Sequence, residues 1–293
     1  MTIDVVTPMV DDAKLFGAIA AANAISDVYA MGGKPEVALS FIGFPTGDLP
    51  LSALSEIIAG MREVCEEVGC AIVGGHTVVD AEPKAGLAVT GTVDGHNVWS
   101  HRAARAGQAI VLSKPLGTGI AVAAMKRGDA SAELADAASQ SMRRTNREAC
   151  EAGLLLGVTA ATDVTGFGLL GHLKNLCEAS SVIAELWMRT IPLLPGVRDL
   201  ADRGLVPGGS KKNLAYVAPI VRFDPGLTEA DHLLLADAQT SGGLLMSLDA
   251  ARAEQLVDRL RGSGHDAMIV GRLIERAAPC AGEVAGATIV VDP

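Results

Sequence analysis

The chain has 293 residues, 49% of them hydrophobic and 20% charged, which is enough to bury a sizeable core and divides most naturally into two domains. A formal net charge of −10 speaks against a broad nucleic-acid surface, because phosphate backbones are held by clustered Lys and Arg that this sequence does not show. Five cysteines (Cys65, Cys70, Cys150, Cys177, Cys280) with no C-x-x-C pair, no apolar run of about eighteen residues and no basic leader point to a reduced, cytoplasmic protein with no membrane span.

Residues 2–7 (TIDVVT) form a β-branched run closed by Pro8, as a buried strand ends. Residues 14–31 are Ala-rich with helical spacing, and Gly32-Gly33 followed by Pro35 stops the helix. A strand is expected over 37–44 and an amphipathic helix over 52–68. A short strand, Ala71-Ile72-Val73, then enters a turn at Gly74-Gly75, and 87–93 is a further strand. The polar stretch 94–107 marks a boundary between domains at 1–107 and 108–293. The second domain opens on a strand at 109–112 running into Lys114-Pro115-Leu116-Gly117-Thr118-Gly119. Beyond it we expect a helix over 132–156, a glycine-punctuated stretch over 161–176, helices over 229–236 and 250–261, and short strands over 267–271 and 288–291. Such mixing of strands and helices predicts an α/β (α+β) fold.

Three aspartates stand in apolar or glycine-rich surroundings. Asp27 lies one helical turn after Asn23, so both project from one face of an otherwise apolar segment. Position alone leaves two readings open there, a polar stripe or cap on one hand and a metal or phosphate ligand on the other. Asp4 sits in a strand of Ile and Val, where it is either an edge residue facing water or a ligand. Asp163 lies in A-T-D-V-T-G-F-G-L-L-G-H, where three close glycines let backbone approach a ligand. Several separated carboxylates suit Mg²⁺, which completes its shell with water and substrate phosphates. Gly74-Gly75-His76-Thr77 offers the amides and hydroxyl of an anion-binding turn. The six histidines are scattered, so His76 and His172 read as hydrogen-bonding residues ahead of metal ligands. No Walker or dinucleotide fingerprint is present, which calls for a less common ATP fold.

The segments N-A-I-S-D-V-Y-A-M-G-G-K-P (23–35), I-V-G-G-H-T (72–77), A-T-D-V-T-G-F-G-L-L-G-H (161–172) and Q-T-S-G-G-L-L (239–245) together resemble the selenophosphate synthetases. The likeness runs over essentially the whole chain. Its first segment is shared with the wider group containing aminoimidazole ribonucleotide synthetase, thiamine-monophosphate kinase and a hydrogenase-maturation ATPase. The resemblance implies a two-domain, aminoimidazole-ribonucleotide-synthetase-like ATP-binding fold, dimerised through strands of the first domain. It implies that ATP, selenide and water give selenophosphate, AMP and orthophosphate. Matched position by position, Asp4 and Asp27 hold ATP through Mg²⁺, Asp163 is a further metal ligand, Gly75, His76 and Thr77 form a nucleotide-binding turn, and Asn23 belongs to the same cluster.

The sequence departs from the family pattern at its start. Ahead of the strand containing Asp4, family members carry a glycine-rich segment with a Cys or selenocysteine and a Lys, then an Asp-Asp-Ala-Ala element. Those residues have no counterpart here, and no catalytic residue is assigned. The expectation is a chain that folds, binds Mg²⁺-nucleotide weakly and makes no selenophosphate as given. A non-catalytic nucleotide-binding or dimerisation relative, or another ATP-dependent synthetase or kinase of the group, are the alternatives.

Overall fold

The computed structural model describes residues 1–276 and 287–293. In chain order the first part comprises β1 (Thr2–Val6), α1 (Ala13–Ala30), β2 (Lys34–Phe44), α2 (Leu51–Val68), β3 (Ala71–Val79) and β4 (Lys84–Thr92). These four strands form one sheet in the order β1-β4-β2-β3, antiparallel except for the β2–β3 pair, which α2 connects. The second part comprises β5 (Gln108–Leu112), α3 (Thr118–Arg127), α4 (Ala132–Arg143), α5 (Arg147–Leu156), β6 (Ala160–Asp163), α6 (Gly168–Ser180), β7 (Val182–Trp187), α7 (Val197–Asp202), α8 (Gly208–Val217), β8 (Val221–Phe223), α9 (Glu229–Leu235), β9 (Leu244–Asp249), α10 (Ala250–Gly262), β10 (Met268–Glu275) and β11 (Ile289–Asp292). Its seven strands make a second sheet, β6-β9-β5-β10-β7-β11-β8. The expected α/β (α+β) class is the observed one.

Helix α1 lies between the two parts. It touches α2, β1 and β4 on one side and α4, α5 and β6 on the other. A helix enclosed in this way must be apolar around its whole circumference, and residues 16–26 are buried without interruption. Alanine dominates them because small side chains let several elements approach one axis. The Asp12 side chain caps the start by accepting from Leu15 N at 2.7 Å, and Gly32 (φ 72°) follows the end in the left-handed conformation glycine tolerates.

The sequence expectations need four corrections. The helix expected over 132–156 is two helices, α4 and α5, because Arg144 turns extended (ψ 127°) and Asn146 re-enters. Gly74-Gly75 is no turn; β3 runs on through His76, Thr77, Val78 and Val79, paired residue by residue with β2. Gly75 is there for close approach, since a Cβ on it would overlap Ser40 on the neighbouring strand. The glycine-punctuated stretch resolves into strand β6 and helix α6, and β7, β8, β9, α7 and α8 lie in segments where no element was expected. Cys65, Cys70, Cys150 and Cys177 are buried and unpaired, while Cys280 lies outside the described residues. No helix among the described residues is long and apolar enough to cross a membrane.

The crossing of α1 and α2 depends on two glycines. A Cβ on Gly17 would overlap the Ile57 carbonyl, and one on Gly60 the Lys14 carbonyl. Gly60→Ala should gain about 1 kcal/mol of helix propensity yet lose more to backbone overlap. We expect a net destabilisation of about 1–3 kcal/mol in urea unfolding. An unchanged or raised midpoint would show that the two helices are not held at this distance.

Candidate active site

Strand β1 alternates, with Thr2, Asp4 and Val6 facing α1 and Ile3 and Val5 facing outward. Residues two apart on a strand are about 6.7 Å apart and residues four apart on a helix about 6 Å, so two such pairs can meet rung by rung. They do. Thr2 Oγ1 donates to Asp27 Oδ2, and Asn23 Nδ2 donates to Asp4 Oδ2 at 3.4 Å. Asp4 is therefore half-buried against α1, which removes its reading as an edge residue facing water.

Asp163 closes strand β6 and is buried. It lines, with Asp4 and Asp27, a cavity of about 620 Å³ between the two sheets, within the roughly 300–1,000 Å³ usual for ligand pockets. Thr92, His101, Phe167 and His172 line it as well. Burial pushes the Asp163 carboxyl up to about 6, the charge of Asp27 adds to the rise, and a hydrogen bond from Ser26 opposes it. Asp4 is pushed up to about 6 by burial first and by Asp27 second. Asp27 is thus the charge that both of the others feel.

These three carboxylates do not converge on a single point. Among the described residues no three His, Cys, Asp or Glu side chains stand close enough to hold a metal ion by themselves. Hard oxygen donors spread around a cavity still fit Mg²⁺, which takes one or two carboxylates and fills its shell with water and phosphate oxygens.

The second-domain wall is held by polar contacts to α1. Ser241 N donates to Asn23 Oδ1 at 2.9 Å, so Asn23 joins β1 to the Gln239–Thr240–Ser241–Gly242–Gly243 loop. Asn146, freed by the break between α4 and α5, donates to Ser26 Oγ and to the Gly242 carbonyl, both at 2.9 Å. Gln239 Oε1 accepts from Gly117 N and Thr118 N, and Asp237 Oδ2 from Gly119 N and Ile120 N, so two side chains satisfy the first four donors of α3. The glycine loop before α3 is consumed within the fold.

The expected site residues separate into two sets. Asp4, Asn23, Asp27 and Asp163 come together. Gly75, His76 and Thr77 do not join them, since they are exposed on β3, the opposite edge of the first sheet from β1 and about 14 Å away at strand spacing. Sequence reasoning missed Thr2, Ser26 and Phe167, the last 59% exposed on the cavity rim. Their signal was proximity to the aspartates within the quoted segments. His172 is a hydrogen-bonding residue: its Nε2 accepts from Thr165 N at 3.1 Å.

Burial drives the His172 imidazole down from 6.5 to about 4. The unfolded chain therefore takes up a proton that the folded one refuses, and stability is lost as pH falls from 6.5 towards 4. At about 1.4 kcal/mol per pH unit, the full loss is at most about 3.5 kcal/mol. Urea unfolding of His172→Gln should lack this part of the acid dependence. Parallel pH profiles for the two proteins would remove His172 as its source.

Residues 1–93 match the family described as "AIR synthase related protein, N-terminal domain", and residues 105–279 the corresponding C-terminal domain. "Selenide, water dikinase" of Myxococcus xanthus is 48% identical over 93% of this chain and 78% of its own length. The protein of that name from Porphyromonas gingivalis is 45% identical over 90% of this chain and 75% of its own. Among solved structures, thiamine monophosphate kinase from Aquifex aeolicus superposes with a TM-score of 0.70 at 19% identity, over 99% of this chain and 86% of its own. The hydrogenase maturation protein HypE reaches 0.71 at 20%, over 94% and 80%. Those two likenesses speak for the fold alone. With the synthetase-type fold, the aspartate-lined cavity and identities of this size over nine-tenths of its length, the chain belongs to the selenide, water dikinase family.

Proposed function

We propose that the cavity between the two sheets binds ATP with Mg²⁺ and that the reaction run there converts ATP, selenide and water to selenophosphate, AMP and orthophosphate. The observation that carries this reading is the gathering of Asp4, Asp27 and Asp163, from three separate elements, on one cavity. Supporting it, relatives named selenide, water dikinase match nine-tenths of the chain.

In this reading Asp4, Asp27 and Asp163 hold the metal ions. Asn23 positions Asp4 and ties it to the Ser241 loop. Bound Mg²⁺ would neutralise the triphosphate and the charge that develops as a phosphoryl group is transferred. Carboxylates spaced this far apart would hold Mg²⁺ together with phosphate oxygens, so metal and nucleotide would bind together. Phe167 at the rim offers a ring face to a base.

Gly75, His76 and Thr77 reach such a nucleotide only from a second copy of the chain. The outer face of the first sheet supports this: Ile3 (66% exposed), Leu39 (50%) and Val73 (63%) stand on it with Val5 and Val37. We infer a homodimer that covers this face and brings the partner's β3 towards the cavity.

Asp27→Asn keeps the acceptor for Thr2 but removes the charge, so it should abolish Mg²⁺-dependent nucleotide binding in calorimetry and leave the thermal midpoint nearly unchanged. Metal-dependent affinity equal to the parent's would return Asp27 to a packing role. With the family's leading Cys- and Lys-bearing segment joined ahead of β1, nucleotide analysis should find AMP released in a selenide-dependent manner; ADP as the product would overturn the dikinase assignment. Leu39→Asp should convert a dimer to a monomer in analytical ultracentrifugation, and a variant as dimeric as the parent would move the interface elsewhere.

A further inference from the structure

A second cavity, of about 150 Å³, opens in the second domain beside α4 and the break that follows it. None of the three aspartates lines it. Three basic side chains do: Lys114, Arg144 and His265. Lys114 is fully buried, and its Nζ donates to the Arg144 carbonyl at 2.6 Å and the Ser241 carbonyl at 2.7 Å. Arg144 Nη1 donates to the Gly264 carbonyl. Among the described residues neither cation has a carboxylate within ion-pair distance, although Asp266 also borders the space. Two positive charges, Lys114 buried and Arg144 half-buried, thus border a small half-open volume, offset by carbonyl dipoles and, for Lys114, by the more distant charge of Asp163.

Two polar atoms at the same cavity are buried without a partner, Ser141 Oγ and His265 Nδ1. The His265 side chain is wholly enclosed, and its Nε2 is held by Glu148 at 2.8 Å. Burial lowers the His265 pKa, and Arg144 and Lys114 lower it further against the pull of Glu148, so the ring is neutral. A neutral ring that donates a hydrogen bond through Nε2–H to Glu148 presents a bare lone pair at Nδ1. The cavity therefore offers positive charge, one hydroxyl and one acceptor in need of a proton donor. Buried groups left unsatisfied in a folded protein call for a water or an ion.

We infer that this cavity binds a small tetrahedral oxyanion that carries a proton, of the hydrogen-phosphate class. Its charge answers Lys114 and Arg144, one oxygen accepts from Ser141 Oγ, and its own O–H donates to His265 Nδ1. The volume corresponds to on the order of five waters, which admits such an ion. Lys114 also carries the consequence outward, because the Ser241 carbonyl it holds belongs to the residue whose N–H binds Asn23. Burial, with Arg144 adding to it, lowers the Lys114 ammonium to about 7, which an anion beside it would reverse.

The test is titration of the full chain with inorganic phosphate in the presence of EDTA, followed by calorimetry and ³¹P NMR, so that no metal-bridged binding at the aspartate cavity contributes. Saturable one-to-one binding is expected, unchanged in Asp27→Asn and weakened on the order of ten- to a hundredfold in Arg144→Gln. Ser141→Ala removes only a hydroxyl and should weaken it several-fold even if Arg144→Gln fails to fold. Sulfate, which has no proton to give at neutral pH, should bind at least about tenfold less well. The absence of saturable binding in the millimolar range would overturn the proposal, as would equal affinity for sulfate, a phosphomonoester binding as tightly as phosphate, or affinity that survives both substitutions.

Discussion

The burial of α1 on all sides is the constraint on which the rest of the structure depends. A helix that supports a four-stranded sheet on one flank and a second domain on the other cannot carry bulky or charged residues except where a partner meets them. Its alanines, and the Gly17 and Gly60 contact with α2, set the distances. Three of its polar residues, Asn23, Ser26 and Asp27, are then fixed where both domains touch. The site is assembled on the helix that also holds the two parts together.

That arrangement couples distant loops through few bonds. Asn23 reads the position of Asp4 on one side and Ser241 on the other, while Ser26 joins Asn146 to Asp163. The break between α4 and α5 serves the same network twice, because it frees Asn146 to bond inward and leaves the Arg144 carbonyl to Lys114. A continuous helix over 132–156 would have used that carbonyl internally. Irregular backbone here is a way of supplying acceptors to buried side chains.

Electrostatics give the two cavities opposite characters. In the larger one burial and mutual repulsion raise Asp4 and Asp163, a cost that a divalent cation would remove. In the smaller one burial depresses Lys114 and His265, a cost that an anion would remove. Each stores an unmet charge of one sign, in a chain whose net charge of −10 would not by itself suggest a cationic pocket.

The sequence by itself determined the fold class, the helix of α1, the strand of Asp4 and the pairing of Asn23 with Asp27 on one helical face. These follow from period and local composition, which a short window contains. It also carried the family, through four motifs whose combination is specific although each is weak alone. Tertiary structure alone decided whether Asp4 faced water or α1, since a strand's alternation says which residues share a face but not what covers it. It decided that Gly74 and Gly75 continue β3, because the reason for Gly75, Ser40 on the adjacent strand, lies 35 residues away in the chain. The convergence of Lys114, Arg144 and His265 was likewise invisible beforehand: they lie on three separate segments, and their shared cavity exists only once the β5 end, the α4–α5 break and the loop before β10 are folded together.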